Sequence, residues 1–459
     1  MQVILSNKLT IVDPTPEVTS WVKKELKISN PDYTKKARMG FWTGNIPKDL
    51  ILYEQDADKL VVPFGVIEQL PLKHDTEMVA DFGAREKVDF KAKIPLYDYQ
   101  EVAVEAMVKA HYGILQAPAG SGKTQMGVGI ASELGCNTLW VTHTKDLLNQ
   151  SMERFERYID KSLIGTITEG KVNIGRGITF ATVQTLSKLD LTQYKYRWDC
   201  IIVDECHRVA GSPTAVTQFS KVLNSLAARH KYGLSATVHR ADGMIQATYS
   251  LLGKVAHIVP EEAVADKIMK VGIFPVGTST VVSRACQNTD GTLNFAKLIN
   301  YLTEDMERNR LIVGEIIEQN RPSLILSDRT AHLQLLMNML PKELKEQAVY
   351  IDGKTKGDVR ENALSEMRNG YKKFLFATYS LAKEGLDVPR LERLYMTTPQ
   401  KDYAVIVQSV GRIARTCEGK DDPIAYDFVD NIGWCIKAYK KRCTTYRKSG
   451  CYFVKEGDE

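Results

Sequence analysis

The sequence predicts an α/β protein in which two tandem, doubly wound parallel-sheet domains follow a small α+β module. Two observations carry that prediction. From about Ile94, short and almost continuously apolar runs alternate with helical stretches, as strands covered by helices on both faces require. After about residue 260 a second series of the same kind begins. A third observation, the different texture of residues 1 to about 90, sets the module apart. The expected limits are 1–92 for the module, 93–260 for the first α/β domain, and 261–459 for the second with a C-terminal tail.

In the module, strands are expected at Val3–Leu5 and Leu9–Val12. A helix opens near Pro16 under a Thr15 cap, with Val18, Trp21 and Val22 on one face. Further strands are expected at Leu50–Tyr53 and Leu60–Pro63, joined by a polar turn over Glu54–Asp58. Lys23, Lys24, Lys27, Lys35, Lys36 and Arg38 form the densest basic cluster ahead of the alternating region, with Tyr33, Phe41 and Trp42 interleaved. Two readings stay open. The cluster grips phosphates while the aromatics stack on bases, or it is a solvated basic face whose aromatics belong to the core.

The first α/β series places strands at Gly113–Gln116, Thr138–Thr142, Ile178–Ala181, Cys200–Val203 and Tyr232–Leu234. The second places them at Ser323–Leu326, Ala348–Ile351, Phe374–Ala377, Arg393–Met396 and Ile424–Phe428. Between the two series, Thr278–Leu293 fits neither pattern, and Asn288–Gly291 reads as a turn.

A length of 459 residues, 44% hydrophobic and 25% charged, suffices for several cores of ordinary globular composition. A formal net charge of +5 is so close to balance that any nucleic-acid-binding surface must be local. The eight cysteines contain no CxxC pair, which argues against a zinc ribbon or redox motif and for reduced, mostly buried thiols. The start of the chain has no basic segment followed by an apolar core, and no run approaches the ~20 apolar residues of a membrane span. These features give the expectation of an intracellular, cytoplasmic protein without membrane partners.

The chemistry begins at Ala117–Thr124 (APAGSGKT), after a strand and before a helix. The span Ala119, Gly120, Ser121 and Gly122 lets successive backbone N–H groups turn toward a phosphate, and the helix N-terminus adds its positive dipole end. Lys123 can reach the β- and γ-phosphates of ATP, and the Thr124 hydroxyl can ligate Mg²⁺. Ala117 stands where the strict form of this loop has glycine. A phosphate loop needs a carboxylate on a neighbouring strand, and the apolar run Cys200–Val203 ends in Asp204, Glu205, Cys206 and His207. Asp204 then holds Mg²⁺ and Glu205 orients and deprotonates the attacking water. His207 is expected to contact Ser235–Thr237 and to couple rather than to bind ATP.

With these residues in place the sequence resembles the superfamily 2 helicases, across about residues 93–430. Leu96–Gln100 is similar to the family's Q-type motif, which implies that Gln100 reads the adenine edge with Tyr97 or Tyr99 near the base. Trp140–Gln150 and Ala181–Leu186 are similar to strand-contacting motifs, which implies nucleic-acid contacts from Thr142, Thr144, Thr182 and Gln184. Ser235-Ala236-Thr237 matches the motif linking hydrolysis to strand binding. In the second domain the resemblance implies strand contacts from Ser327, Arg329 and Thr378, and nucleotide contacts from Gly385 and Asp387. Gln408–Arg415 (QSVGRIAR) matches the family's arginine motif. Gln408, Arg412 and Arg415, at i, i+4 and i+7, are expected on one helix face, presenting arginine charge to the γ-phosphate.

The resemblance implies RecA-like domains, ATP and Mg²⁺ as cofactors, and DNA, single-stranded, duplex or branched, as partner. Gly233–Met244 (GLSATVHRADGM) is similar to the form in XPB-like and phage UvsW-type DNA helicases, which points to a monomer remodelling forks and Holliday junctions. An RNA helicase and a nucleic-acid-sensing ATPase scaffold are the alternatives. The intact set of Lys123, Glu205, Gln408, Arg412 and Arg415 argues against the scaffold.

Overall fold

The structure is a computed structural model. It describes all residues except 91, 93, 119, 169, 239–243, 265–267, 384–385 and 455–459. The chain divides into two units, each described by itself below. One takes in Met1–Pro118 and Gly122–Ala263, the other Ala119–Ser121 and Val264–Glu459.

The first unit opens with the module: β1 (Gln2–Leu5), β2 (Lys8–Val12), α1 (Pro16–Glu25), β3 (Lys27–Ser29), α2 (Pro31–Arg38), β4 (Asp49–Ile51), β5 (Glu54–Asp56), β6 (Lys59–Pro63) and β7 (Glu77–Ala80). Five of these strands form a sheet in the order β5-β6-β2-β1-β7, and β3 pairs with β4 as a separate ribbon. Thr15 caps α1 by accepting from Val18 N at 3.3 Å, and Val18 and Val22 turn into the core. The stretch Glu54–Asp58 differs from expectation. Glu54–Asp56 is a strand paired with β6, so the turn shrinks to Ala57 and Asp58. All three of its residues are exposed, so no apolar alternation marked it.

Then come α3 (Asp98–Ala110), β8 (Tyr112–Gln116), α4 (Lys123–Leu134), β9 (Thr138–Thr142), α5 (Lys145–Phe155), β10 (Ile164–Thr168), β11 (Lys171–Asn173), β12 (Ile178–Thr182), β13 (Cys200–Asp204), β14 (His230–Ser235) and β15 (Val255–Ile258). They make an eight-stranded sheet in the order β11-β10-β12-β9-β13-β14-β8-β15. Only the edge strand β11 runs antiparallel. Every residue of β9, β12, β13 and β14 is buried; the first three read as nearly continuous apolar runs, whereas β14 opens on buried His230 and Lys231.

The module packs on the flank of this sheet. Gly65 meets the end of a helix so closely that a Cβ there would lie 2.4 Å from Gly253 N. Lys231, wholly buried on β14, donates to Asn7 O at 3.0 Å and Leu223 O at 2.9 Å, with its ammonium 5.2 Å from the Phe64 ring centre. The β3–β4 ribbon is anchored by Ile28, which clusters with Ala210, Val216, Met244 and Ala247.

The second unit holds β16 (Gly272–Thr278), β17 (Ser323–Ser327), β18 (Ala348–Ile351), β19 (Phe374–Thr378), β20 (Arg393–Met396), β21 (Ile424–Asp430) and β22 (Tyr452–Phe453). They form an all-parallel sheet ordered β18-β19-β17-β20-β21-β16-β22. Two doubly wound parallel sheets and an α+β module are therefore present, as the alternation predicts. Part of Thr278–Leu293 closes as a small tip, with Gln287 bridging Leu293 and Asn288 N donating to Thr292 O at 2.8 Å. Five of the eight thiols are buried and all eight are free. Among the described residues no helix is long and apolar enough to cross a membrane.

Burial pulls the Lys231 ammonium down to about 7, from an ordinary value of 10.5. The folded chain then binds fewer protons here than the unfolded chain between those two values, so stability should rise with pH across that window. The gain over Lys231→Met should approach about 1.4 kcal/mol per pH unit, measured by denaturant titration from pH 7 to 10. A constant difference between the two proteins would mean that Lys231 stays charged in the fold.

Candidate active site

Three in-register parallel strands bring the motifs to one sheet edge. On β14, Ser235 pairs with Gln116 at the end of β8, and Leu234 pairs with Asp204 at the end of β13. The strand carrying Ser235 thus lies between those leading into the glycine loop and into the acidic pair, and Ala117 N donates to Ser235 O at 3.0 Å.

Gly120 and Gly122 both take left-handed backbone angles, φ +85° and +80°. A Cβ at Gly122 would lie 2.4 Å from Gln100 Nε2, so side-chain bulk is excluded there twice over. Ser121 is fully buried, and Ala119 lies outside the described residues. The Lys123 ammonium folds back on the loop, donating to Ala117 O and Pro118 O at 3.3 Å each. Thr124 is buried in the first turn of α4.

Asp204 is buried. Its Oδ1 accepts from Glu205 N at 3.0 Å, and its Oδ2 from Ser151 Oγ at 3.2 Å. Burial, and after it the charge of Glu205, push the Asp204 carboxyl up to about 6, against the pull of Lys123. Glu205 has φ +49°, a left-handed conformation that costs a side-chain-bearing residue of order 1 kcal/mol or more and that clusters at functional sites. His207 Nδ1 stands 3.2 Å from Glu205 Oε2 and 3.1 Å from Ser235 Oγ. Ser235 donates its proton to Thr237 O at 2.7 Å and accepts from Thr237 N at 3.1 Å. With that hydroxyl proton committed, Nδ1 carries the hydrogen that His207 donates to Ser235 Oγ. His207, Ser235 and Thr237 are therefore one bonded chain, with the Glu205 carboxylate beside it. Asp204 and Thr124 supply carboxylate and hydroxyl oxygen, the hard donors that suit Mg²⁺.

Several expected residues sit differently from their assigned roles. Gln100 is 1% exposed, and its Oε1 accepts from Tyr97 N at 3.0 Å as half of a capping box on α3. Nearer the surface of that motif lie its aromatics, exposed Tyr97 and half-buried Tyr99, stacked at 5.8 Å. Thr142 is fully buried and spends its hydroxyl on Thr144 O at 3.0 Å. Thr144 caps α5, and Thr182 caps the short helix Val183–Leu186. Gln184 Nε2 lies 3.1 Å from His143 Nδ1. In the second unit Ser327 is buried, 3.0 Å from His332 Nδ1. Arg329 donates to Asn300 Oδ1 at 2.8 Å, and Thr378 ends β19 half-buried. The threonine and serine hydroxyls thus shape loops, which leaves loop backbone and the half-buried side chains as the groups able to meet a strand.

The arginine motif also departs from the one-face expectation. Gln408 and Arg412 lie on the helix Tyr403–Ile413, but that helix ends before Arg415. Arg415 continues in an extended segment, bridged to Ile268 and ion-paired with Asp387. Arg412 is tied to the carbonyls of Ala382 at 2.7 Å and Leu386 at 3.1 Å. Gly385 lies outside the described residues.

Two features escaped the motif reading. On α5, Ser151 and Arg154 point at the acidic site, Arg154 Nη1 donating to Thr124 Oγ1 at 3.2 Å. Ser151 sits at a core position of that helix between Leu148 and Phe155, and a buried serine there is the signal that was available. In the second unit, Phe295 and Trp434 pack at 4.6 Å beside a cavity of about 290 Å³ that Arg329, Gln400 and Lys401 also line.

Comparison with known proteins fits this layout. The family described as "Type III restriction enzyme, res subunit" matches residues 93–240, and "Helicase conserved C-terminal domain" matches 307–417, one on each α/β domain. The chain belongs to the superfamily 2 helicases. As such it is an ATP-dependent nucleic-acid helicase. The helicase is 27% identical over 360 residues to L396 of Acanthamoeba polyphaga mimivirus, named as an ATP-dependent RNA helicase, covering 77% of this chain and 67% of that one. It is 26% identical over 365 residues to the DNA 3'-5' translocase XPB2 of Sulfurisphaera tokodaii, covering 71% and 80%. Among solved structures, Saccharomyces cerevisiae Dbp5 bound to RNA and ADP BeF3 shares the fold, with TM-score 0.54 and 18% identity over 80% of this chain and 90% of that one.

Glu205→Gln should bind nucleotide as wild type does and lose turnover by roughly 10²–10⁴-fold. Fluorescent-nucleotide binding beside ATPase rate checks this, and reduced affinity in a folded variant would reassign the residue. Arg412→Ala should lower the melting temperature more than Arg415→Ala, because it strips two carbonyls of a charged donor at about 1–3 kcal/mol each. Thermal denaturation of the two variants decides.

Proposed function

We propose that this helicase is a DNA translocase that remodels branched DNA such as forks and Holliday junctions. One observation carries the step from motor to substrate. The β3–β4 ribbon holds out α2, a helix with no buried residue, and the loop after it exposes Phe41 at 63% and Trp42 at 85%. Lys35, Lys36 and Arg38 on α2, and Lys23 and Lys24 on α1, are also exposed. That combination favours the phosphate-gripping reading over a solvated face with core aromatics. It offers charge to a duplex backbone and flat apolar surface to an unpaired base. The resemblance to XPB2, which carries the name of a DNA translocase, supports DNA. The name of the mimivirus relative favours RNA as the second reading.

In the proposed cycle Lys123 and the N–H groups of the glycine loop hold the ATP phosphates. Tyr97 and Tyr99 offer a face to the adenine, with Gln100 behind them. Thr124 and Asp204 hold Mg²⁺, which supplies charge neutralisation at the phosphates when bound. Glu205 takes the proton of the attacking water, with the His207 ring 3.2 Å from its carboxylate. Arg415 and Gln408 are assigned to the charge that develops on the γ-phosphate, while Arg412 holds the carbonyls of Ala382 and Leu386. Through the close approach of Glu205 to His207 and the bonded run from His207 to Thr237, a change at the base reaches the segment that follows β14. Loop backbone around Thr144 and Thr182 in the first unit, and Arg329 and Thr378 in the second, track a single strand.

ATPase activity with single-stranded DNA, duplex DNA, a four-way junction and RNA tests the proposal. Greatest stimulation by the junction is expected, and stimulation by RNA alone would replace this reading with the second. Replacing Lys23, Lys24, Lys35 and Lys36 together by alanine should weaken junction binding most at low salt. It should flatten the salt dependence of log K by about 0.9 for each phosphate that is no longer neutralised, and leave ATPase on saturating single-stranded DNA nearly unchanged. Junction affinity across a salt series checks this. An unchanged slope would move the substrate-selecting surface elsewhere.

A further inference from the structure

The second polar face of α5 is unaccounted for by the hydrolysis cycle. Its last two turns place Ser151 on Asp204 at 3.2 Å and Arg154 on Thr124 at 3.2 Å. These are the carboxylate and the hydroxyl proposed to hold Mg²⁺. Burial holds the Arg154 guanidinium below its usual range, and the negative charge of Asp204 opposes that pull. Lys123, the other cation of this region, is turned to the carbonyls of Ala117 and Pro118. A Thr124 oxygen that accepts from a guanidinium cannot also serve a divalent cation without two positive charges meeting a few ångströms apart.

We propose that Arg154 is a built-in counter-cation of the Thr124–Asp204 pair, a positioning residue that yields its place when Mg²⁺ arrives with nucleotide. The inference rests on the Mg²⁺–nucleotide reading given above. Arg154 then sets how much Mg²⁺ the helicase needs. Its release frees the last turn of a helix whose first turn is capped by Thr144, in the segment that meets nucleic acid.

The test is the Mg²⁺ dependence of fluorescent-ADP binding to the full chain, with no turnover involved. In Arg154→Gln, which keeps the length but not the charge, the half-saturating Mg²⁺ should fall by about tenfold or more, as removal of one nearby unit charge implies. Arg154→Lys, which keeps the charge, should stay within about twofold of wild type on the same ground. Millimolar Mg²⁺ alone should leave the melting temperature of wild type unchanged and raise that of Arg154→Gln. An unchanged or increased Mg²⁺ requirement in Arg154→Gln overturns the proposal. So does stabilisation of wild type by Mg²⁺ alone, a measurement that needs no variant to fold. If wild type binds ADP with no dependence on Mg²⁺ at all, the metal–nucleotide reading itself falls, which separates its failure from that of the role given to Arg154.

Discussion

Register between parallel strands is the constraint on which the nucleotide site depends. β13, β14 and β8 lie side by side with Asp204 opposite Leu234 and Gln116 opposite Ser235. A slip of one residue would turn every inward side chain of such a strand outward, and since both faces are covered the slip has no stable outcome. The residues that do chemistry are therefore fixed by residues that do none. Val203, Leu234 and Leu115 are fully buried, and their packing sets how far each strand end projects. On that platform Glu205 adopts its left-handed turn, and the carboxylate, the imidazole and the Ser235 hydroxyl come within hydrogen-bonding distance.

In the second unit, buried ion pairs on neighbouring elements hold the corresponding platform. Asp427 on β21 accepts from Arg442 at 2.8 Å through both oxygens, and also from the Tyr446 hydroxyl. Asp430, at the end of the same strand, accepts from Arg308 at 2.6 Å and from Thr278 at 2.8 Å. Such pairs lend less net stability than their Coulomb attraction suggests, but losing one partner strands a buried charge at a cost of about 3–5 kcal/mol. Arg442 falls inside the basic stretch Lys437–Lys448, a tail by composition. In the fold it is part of the helix Gly433–Lys448, pinned to the sheet.

The sequence made the doubly wound sheets legible because most of their strands are nearly continuous apolar runs, and it made the phosphate loop and acidic pair legible because those residue types have few other uses at that spacing. Exposed or polar elements were harder. Glu54–Asp56 pairs through its backbone alone, so nothing in its side chains marks it as a strand. Thr142 and Ser327 stand inside recognisable motifs, yet their hydroxyls serve loop geometry, which depends on backbone direction rather than on residue type. The expected single face for Gln408, Arg412 and Arg415 assumed that the helix runs through all three, and it stops at Ile413. Arg154 was silent because its partners, Thr124 and Asp204, are distant in sequence, and a lone arginine on an amphipathic helix reads as solvated.

The α2 excursion has a consequence for how such a chain can change over generations. Since α2 buries nothing and the ribbon's foothold is Ile28 with a few neighbours, the residues between Pro31 and Lys48 are under little obligation to the core. Selection can rewrite their charge and aromatic content, lengthen them or shorten them, while the engine beneath keeps its register. A motor of fixed mechanism could thereby acquire new substrates by drift in one outlying segment.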